Sequence, residues 1–442
     1  MERAEGGAAG RLTDDVSIGL LATVFPEEVV QAAVDEAGAR EERTRSLPSK
    51  LMMYLVMALW LEPGKGYVRT LRGLLEGLRW SRGGWDGYRV PSDGAISLAR
   101  YRLGEAPLRN LFDEVAASVA DERTPDAFWR GLRLMAVDGT VVDLPSGRPN
   151  EAAFDVPAGG SRPQARLVVL AECGTLALAG AAFDSIAVGE WTLFERLLDR
   201  LTPGMLLLAD RGFPSYDLYT AAALTGAELL WRVSASFTLP VKKRLPDGTY
   251  LSELRGSRRS ERVTVRVIEY SVADDDGVSE VFCLITTLLD PDAAPALELA
   301  RNYAERWSVE VLFKLVKVDL RTSGGVLRSG KPEGVRQELW ALLCVYQALR
   351  TLITKAGRRP GPHPLPARPG RREKLRADGL FPPELLAKAL HFFIADLPDM
   401  LIRDRPTRTA PRTTKRPHLS YQTRSSTAPA PAASLAPSCS TS

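Results

Sequence analysis

LRLMAVDGTVVDLP, residues 132–145, decides how the chain is read. It is apolar and β-branched, is bounded by Gly131 and Pro145, and carries Asp138 at its middle, which is the composition of a strand. RLVVLAECG (166–174) and LALAGAAFDSI (176–186) follow as two more strands with tight connections. GEWTLFERLLDRL (189–201) has the spacing of an amphipathic helix. MLLLADRGF (205–213) is an apolar run that breaks at Asp210-Arg211-Gly212, as expected of a central strand covered on both faces. YDLYTAAALTG (216–226) reads as a helix and AELLWRVS (227–234) as a fifth strand, in which Trp231 is a packing residue.

Three strands followed by strand–helix units is the order of an RNase H-like α/β fold. In it the ends of the first and fourth strands are neighbours, so Asp138 and Asp210 are expected to meet. A carboxylate at the mouth of a buried strand is costly without a partner or a metal ion. Asp143, five residues beyond Asp138, is a weaker acidic candidate and reads as structural.

Toward the C-terminus, ALELARNYAERWSVEVLFKLVKVDL (296–320) lacks Pro and Gly and is expected to form one long helix. Tyr303, Arg306, Glu310 and Lys317 follow one another at steps of three, four and seven, which keeps them on one stripe with Phe313 between. A carboxylate flanked by a guanidinium, an ammonium and a phenol suits a metal site beside a phosphate; the plainer alternative is a solvated face with i,i+4 pairs. The interval between Asp210 and Glu310 is too long for a simple connection, and its alternation around Asp-Gly turns predicts an inserted β-rich subdomain.

Residues 1–130 read as a helical N-terminal domain. SLPSKLMMYLVMALWL (46–61) opens with a Ser/Pro helix entry, while VRTLRGLLEGLRW (68–80) and PSDGAISLARYRLG (91–104) are short, arginine-bearing helices around a Gly/Trp-rich turn. They fit a helix-turn-helix in which Arg100 and Arg102 meet DNA, and equally a helical cap with solvated arginines. The remaining segments are the core's first part (131–235), the insertion (236–292), a segment completing the core (293–355) and a Pro/Arg-rich region (356–442) expected to be largely disordered.

Bulk composition narrows the chemistry. The net charge of +4 permits a nucleic-acid partner without requiring one. Four scattered cysteines argue against a zinc knuckle or a disulfide framework and fit a reducing cytoplasm. His363, His391 and His418 all lie beyond the core, which leaves carboxylates as the catalytic groups. No apolar run reaches the roughly 20 residues of a membrane span. Asp138, Asp210 and Glu310, brought together, would repel one another unless divalent cations lay among them. Hard oxygen ligands select Mg²⁺ or Mn²⁺, and two such ions serve in-line phosphoryl transfer.

AVDGT around Asp138, LLADRGF around Asp210 and the Y-x2-R-x3-E-x6-K spacing from Tyr303 to Lys317 resemble the DDE transposases of the insertion sequence four family. The resemblance runs from about Leu47 to about Leu352 and takes in RYRLGEAPLRNLF (100–112) and VLRSGKPEGVRQE (326–338). It implies an RNase H-like catalytic core with a β-strand insertion, and Asp138, Asp210 and Glu310 as the metal-binding triad. It also implies that Tyr303, Arg306 and Lys317 contact phosphates at a transposon end, with Trp307 either stacking on DNA or packing in its helix. The activity implied is cut-and-paste transposition through end cleavage, hairpin formation and strand transfer. The implied partners are inverted-repeat ends and target DNA as duplexes, with a homodimer in the synaptic complex and the nucleoid as the place of action. The chain departs from the family's pattern after Lys355, which keeps two alternatives open: a DNA-binding relic that no longer transposes, and an RNase H-like nuclease.

Overall fold

The computed structural model describes residues 21, 24–43, 46–61, 64–82, 89–234, 237–258, 260–273, 279–314, 327–357 and 435–436; the Pro/Arg-rich region beyond 357 lies almost wholly outside them. Helices α1 (Glu27–Glu36), α2 (Ser49–Leu61), α3 (Tyr67–Arg82), α4 (Asp93–Leu103) and α5 (Ala106–Val115) precede strand β1 (Leu132–Asp143). There follow α6 (Arg148–Phe154), β2 (Gln164–Glu172), β3 (Leu178–Ser185), α7 (Glu190–Glu195), β4 (Met205–Ala209), α8 (Tyr216–Leu224) and β5 (Glu228–Val233). The insertion supplies β6 (Tyr250–Arg255), β7 (Arg262–Ala273) and β8 (Ser279–Thr286), and α9 (Ala296–Ala304), α10 (Ser308–Lys314) and α11 (Pro332–Gly357) follow. Among the described residues no helix is long and apolar enough to cross a membrane.

The chain divides into two units. One comprises the described parts of Met1–Arg123, Gly139–Leu193 and Ser308–Leu401, the other those of Thr124–Asp138, Phe194–Trp307 and Ile402–Ser442, so β1 begins in the second unit and ends in the first. In the second unit the sheet runs β1-β4-β5-β8-β7-β6; in the first, β3 pairs antiparallel with β2, the neighbour of β1. The order β3-β2-β1-β4-β5 is that of the RNase H-like fold. β1, β4 and β5 are parallel and apolar, with Leu206, Leu207, Leu208 and Ala209 all fully buried, as a strand covered on both faces requires. Trp231 is fully buried on β5, its ring edge-on to Tyr219 at 5.2 Å.

The β-rich insertion does not build a sheet of its own. β8 pairs antiparallel with β5 (Ile285 opposite Trp231), and β7 and β6 add outward from it. Arg266 of β7 is fully buried. Its Nη1 donates to the Ala294 carbonyl at 2.6 Å, its Nε to Thr249 Oγ1 at 2.9 Å, and its Nη2 pairs with Asp247. The inserted strands are thereby fastened to the segment that enters α9.

In the first unit, α2 is apolar on every side and almost entirely buried. α11 packs Trp340 against Phe112 at 5.5 Å and Phe183 at 4.7 Å. Gln347 of α11 accepts from the Leu178 amide at 2.7 Å and donates to the Val115 and Ala117 carbonyls. Glu338 of α11, 3% exposed, pairs with Arg100 at 3.1 Å and also accepts from Ser329 Oγ and the Arg328 amide. Arg100 itself, expected at DNA, is 4% exposed and bonded also to Tyr67. A guanidinium enclosed by acceptors in a helical interior is a structural group, and this corrects its assignment as a DNA contact. Arg102 is half-exposed and donates to the Leu47 carbonyl at 2.6 Å.

The long helix expected over 296–320 is interrupted. α9 ends at Ala304, a 3-10 turn spans Glu305–Trp307, and α10 restarts at Ser308. Two causes act together: Ser favours helix starts over helix interiors, and the tightened turn carries Arg306 into the protein, where it is 2% exposed. The helix expected over 189–201 is likewise shorter, α7 giving way to a 3-10 turn at Leu198–Arg200.

Arg100→Ala leaves the Glu338 carboxylate buried without its guanidinium and is expected to lower stability by about 3–5 kcal/mol in urea unfolding. Arg102→Ala, at a half-exposed position, is expected to cost no more than about 1 kcal/mol.

Candidate active site

The register of two buried strands places the first pair of acidic residues. Val137 of β1 lies opposite Ala209 of β4 in parallel pairing, so Asp138 and Asp210 come next, level with each other on strands about 4.8 Å apart. Gly139 follows because Glu190 lies across that position: a Cβ there would sit 2.5 Å from Glu190 Oε1. Alternation along the strand puts that contact on the face opposite Asp138. After Asp210 the chain turns sharply, with the Phe213 amide donating to the Asp210 carbonyl at 3.0 Å. Phe213 is buried edge-on to Phe194 at 5.7 Å, which anchors the turn. Ser215 then caps α8, its hydroxyl accepting from the Leu218 amide.

The two carboxylates have different surroundings. Asp138 Oδ2 lies 3.5 Å from Arg306 Nη1 and its side chain is 21% exposed. Asp210 Oδ1 is buried, and among the described residues no donor reaches it. A buried carboxylate oxygen without a donor is expensive, and a hard divalent cation is the ligand that relieves it. The donor set of these two residues therefore fits a metal ion.

Tyr303 stands behind Asp210. It is 1% exposed, its hydroxyl donates to the Ala209 carbonyl at 3.4 Å, and its ring is edge-on to Phe282 at 6.4 Å. Burial pushes the phenol far above its ordinary pKa, with the Arg306 charge pulling the other way and the Asp210 charge adding to the rise. Its expected contact with a phosphate does not match this interior position; the side chain supports the strand end. The guanidinium of Arg306 lies 5.9 Å from the Tyr303 ring centre.

Glu310 heads α10 in the first unit and is half-buried. Among the described residues no group of three or more acidic, histidine or cysteine side chains is gathered closely enough to hold a metal ion. The second unit brings together Asp138, Asp210, Tyr303 and Arg306, and Glu310 belongs to the first. Trp307 closes the 3-10 turn, with its side chain outside the described residues, as is Lys317. Asp143 is exposed and accepts from Gln164 at 2.7 Å.

Two supports of the signature helix went unnoticed in the sequence. Glu298 of α9 accepts from Arg130 at 2.8 Å and from Trp129 Nε1 at 2.8 Å, and these bonds hold its carboxyl below the usual range. Arg266 is the other. Neither pair has a sequence signal, because each joins residues far apart in the chain.

Two family models match: one described as insertion element 4 transposase N-terminal over residues 15–113, the other as transposase DDE domain over residues 129–348. The chain is 29% identical over 351 residues to transposase InsG for insertion sequence element IS4 of Escherichia coli (strain K12), covering 74% of this chain and 75% of that protein. It is 28% identical over 222 residues to the putative transposase InsZ of the same organism, covering 49% of this chain and 71% of the relative. The piggyBac transposase in a synaptic complex with hairpin DNA aligns with 88% of this chain and 81% of its own, at 10% identity and a TM-score of 0.41, a likeness too remote to bear on the site.

The buried phenols set a pH limit. Tyr303, Tyr219 and Tyr346 are raised by burial, so the folded state keeps protons that unfolded phenols lose near pH 10. Stability is therefore whole below about pH 10 and falls above it, by up to about 1.4 kcal/mol per pH unit for each phenol. Between pH 10 and 11, Tyr303→Phe is expected to lose about 1 kcal/mol less than the parent in urea unfolding.

Proposed function

This chain belongs to the insertion element 4 family of DDE transposases and is a DNA transposase, a DNA-cleaving enzyme of a family that uses divalent metal ions; we propose that Asp138, Asp210 and Glu310 are its catalytic carboxylates. The observation that carries the reading is the parallel register of Val137 with Ala209, which sets Asp138 and Asp210 at one level on adjacent strands. The donor-free oxygen of Asp210 supports it from the side of chemistry. Glu310 enters on the Y-x2-R-x3-E-x6-K spacing, which the chain carries intact.

Held by these three residues, two Mg²⁺ or Mn²⁺ ions would activate the attacking oxygen and stabilise the leaving oxygen of an in-line displacement at phosphorus. The protein's own contribution is placement. β1 and β4 fix the two aspartates through buried backbone pairing, and Tyr303 braces the end of β4 through the Ala209 carbonyl. Arg306 supplies positive charge beside Asp138, where a phosphodiester carries negative charge. Trp307 and Lys317 are proposed to hold the DNA end, Trp307 by stacking and Lys317 at a phosphate. The substrates are double-stranded inverted-repeat ends and target DNA, the assembly is a homodimer joining two ends, and the steps are end cleavage, hairpin formation and strand transfer. Such an enzyme works on DNA in the cytoplasm, at the nucleoid.

Metal-dependent cleavage of a duplex carrying the element's inverted repeat tests the assignment. Asp138→Ala is expected to reduce cleavage to background while a gel-shift assay shows end binding retained. Cleavage by Asp138→Ala at the parent's rate would overturn the site.

A further inference from the structure

Asp138 already has a cation against it. The Arg306 guanidinium reaches it from the 3-10 turn between α9 and α10, and the arginine side chain is 3% exposed while Asp138 is 21% exposed. At 3.5 Å the contact is longer than the roughly 2.7–2.9 Å of a good charge-assisted hydrogen bond, so it is an ion pair without the best bonding geometry. Asp210 stands one strand away with a buried oxygen that no donor among the described residues reaches. The guanidinium thus faces Asp138, while the oxygen of Asp210 lacks a donor among the described residues.

A divalent ion on these carboxylates and the Arg306 guanidinium would lie within a few ångströms of each other and repel in a partly buried setting. Both want the same Asp138 oxygens. The side chain's other natural partner is a phosphate, which a guanidinium binds at least as well as a carboxylate. We infer that Arg306 is an exchangeable counter-ion: it holds Asp138 until a DNA phosphate draws it away, and the metal ion then takes the oxygens it leaves. The inference rests on the reading of Asp138 as a metal ligand. Arg306 thereby acts as a positioning residue that makes metal binding and DNA binding favour each other, reciprocally as linkage requires. An enzyme so built keeps its cutting centre incomplete until an end is in place.

The test reads metal binding rather than turnover. Thermal shift of the full-length protein is followed across a Mn²⁺ titration, with and without a pre-cleaved end duplex that offers no bond left to cut. In the parent, the duplex is expected to lower the half-saturating Mn²⁺ concentration about tenfold, within the usual span of coupling between sites. Arg306→Gln without DNA is expected to bind Mn²⁺ as tightly as the parent does with DNA, and the duplex should then add nothing further. Its melting temperature in chelator should lie below the parent's, because the Arg306–Asp138 ion pair is gone. Arg306→Gln binding Mn²⁺ no tighter than the parent overturns the inference, as does a parent whose titration ignores the duplex. The parent measurement decides alone if the variant does not fold. Asp138→Asn separates the two readings: unchanged Mn²⁺ binding in that variant removes the metal site itself, whereas lost binding with no Arg306 effect removes only the counter-ion.

Discussion

The pairing of β1 with β4 is the constraint on which the rest depends. The paired stretches Leu134–Val137 and Leu206–Ala209 are buried, so their backbone groups have no water to turn to and the ladder between them must be complete. Both faces are covered, so a slip of one residue would exchange the side chains packed in the two layers and misfit both. The register Val137 with Ala209 is therefore fixed by hydrophobic packing, and the level at which Asp138 and Asp210 stand is a by-product of that packing. Two carboxylates are held near each other with no flexible loop on the Asp138 side to let them part.

The signature helix depends on the same sheet at one remove. α9 buries Leu299, Ala300 and Tyr303 on its apolar face, and polar ties add to that hold at its start: Arg266 from β7 at Ala294, and the Arg130–Glu298 pair. These ties reach the first turn of the helix only. Farther along, Tyr303 rests under Asp210 and Arg306 lies at Asp138, so the helix arrives with its polar side chains already committed to the strand ends. The break at Glu305–Trp307 is the geometric cost of that commitment.

Much of this was legible in the sequence. Apolar runs such as MLLLA and the β-branched stretch around Asp138 could hardly be anything but strands, and SLPSKLMMYLVMALWL announced α2 by its entry residues. Asp138 and Asp210 could be paired because strand order alone makes their ends neighbours. What stayed hidden were the features settled by contacts distant in sequence. Arg100 looks like any surface arginine until Glu338 appears beside it, and the insertion's hairpins carry no mark saying which sheet they join. α6, from RPNEAAF, is too short to stand out by periodicity. The interruption at Glu305 gave little sign of itself because only Ser308 there disfavours a helix interior, and the placement of Arg306 against Asp138 depends on a contact distant in sequence.

Arg266 has a bearing on how far such a protein can be pared down. The inserted hairpins look like a removable decoration on an otherwise complete nucleotidyl-transferring sheet, the kind of appendage a minimal variant would discard. Yet the guanidinium at their base is the only side chain among the described residues that grips the Leu288, Asp290 and Ala294 carbonyls from within the sheet. Deleting the appendage would unfasten the lead-in to α9, so the smallest working version of this fold has to keep its ornament.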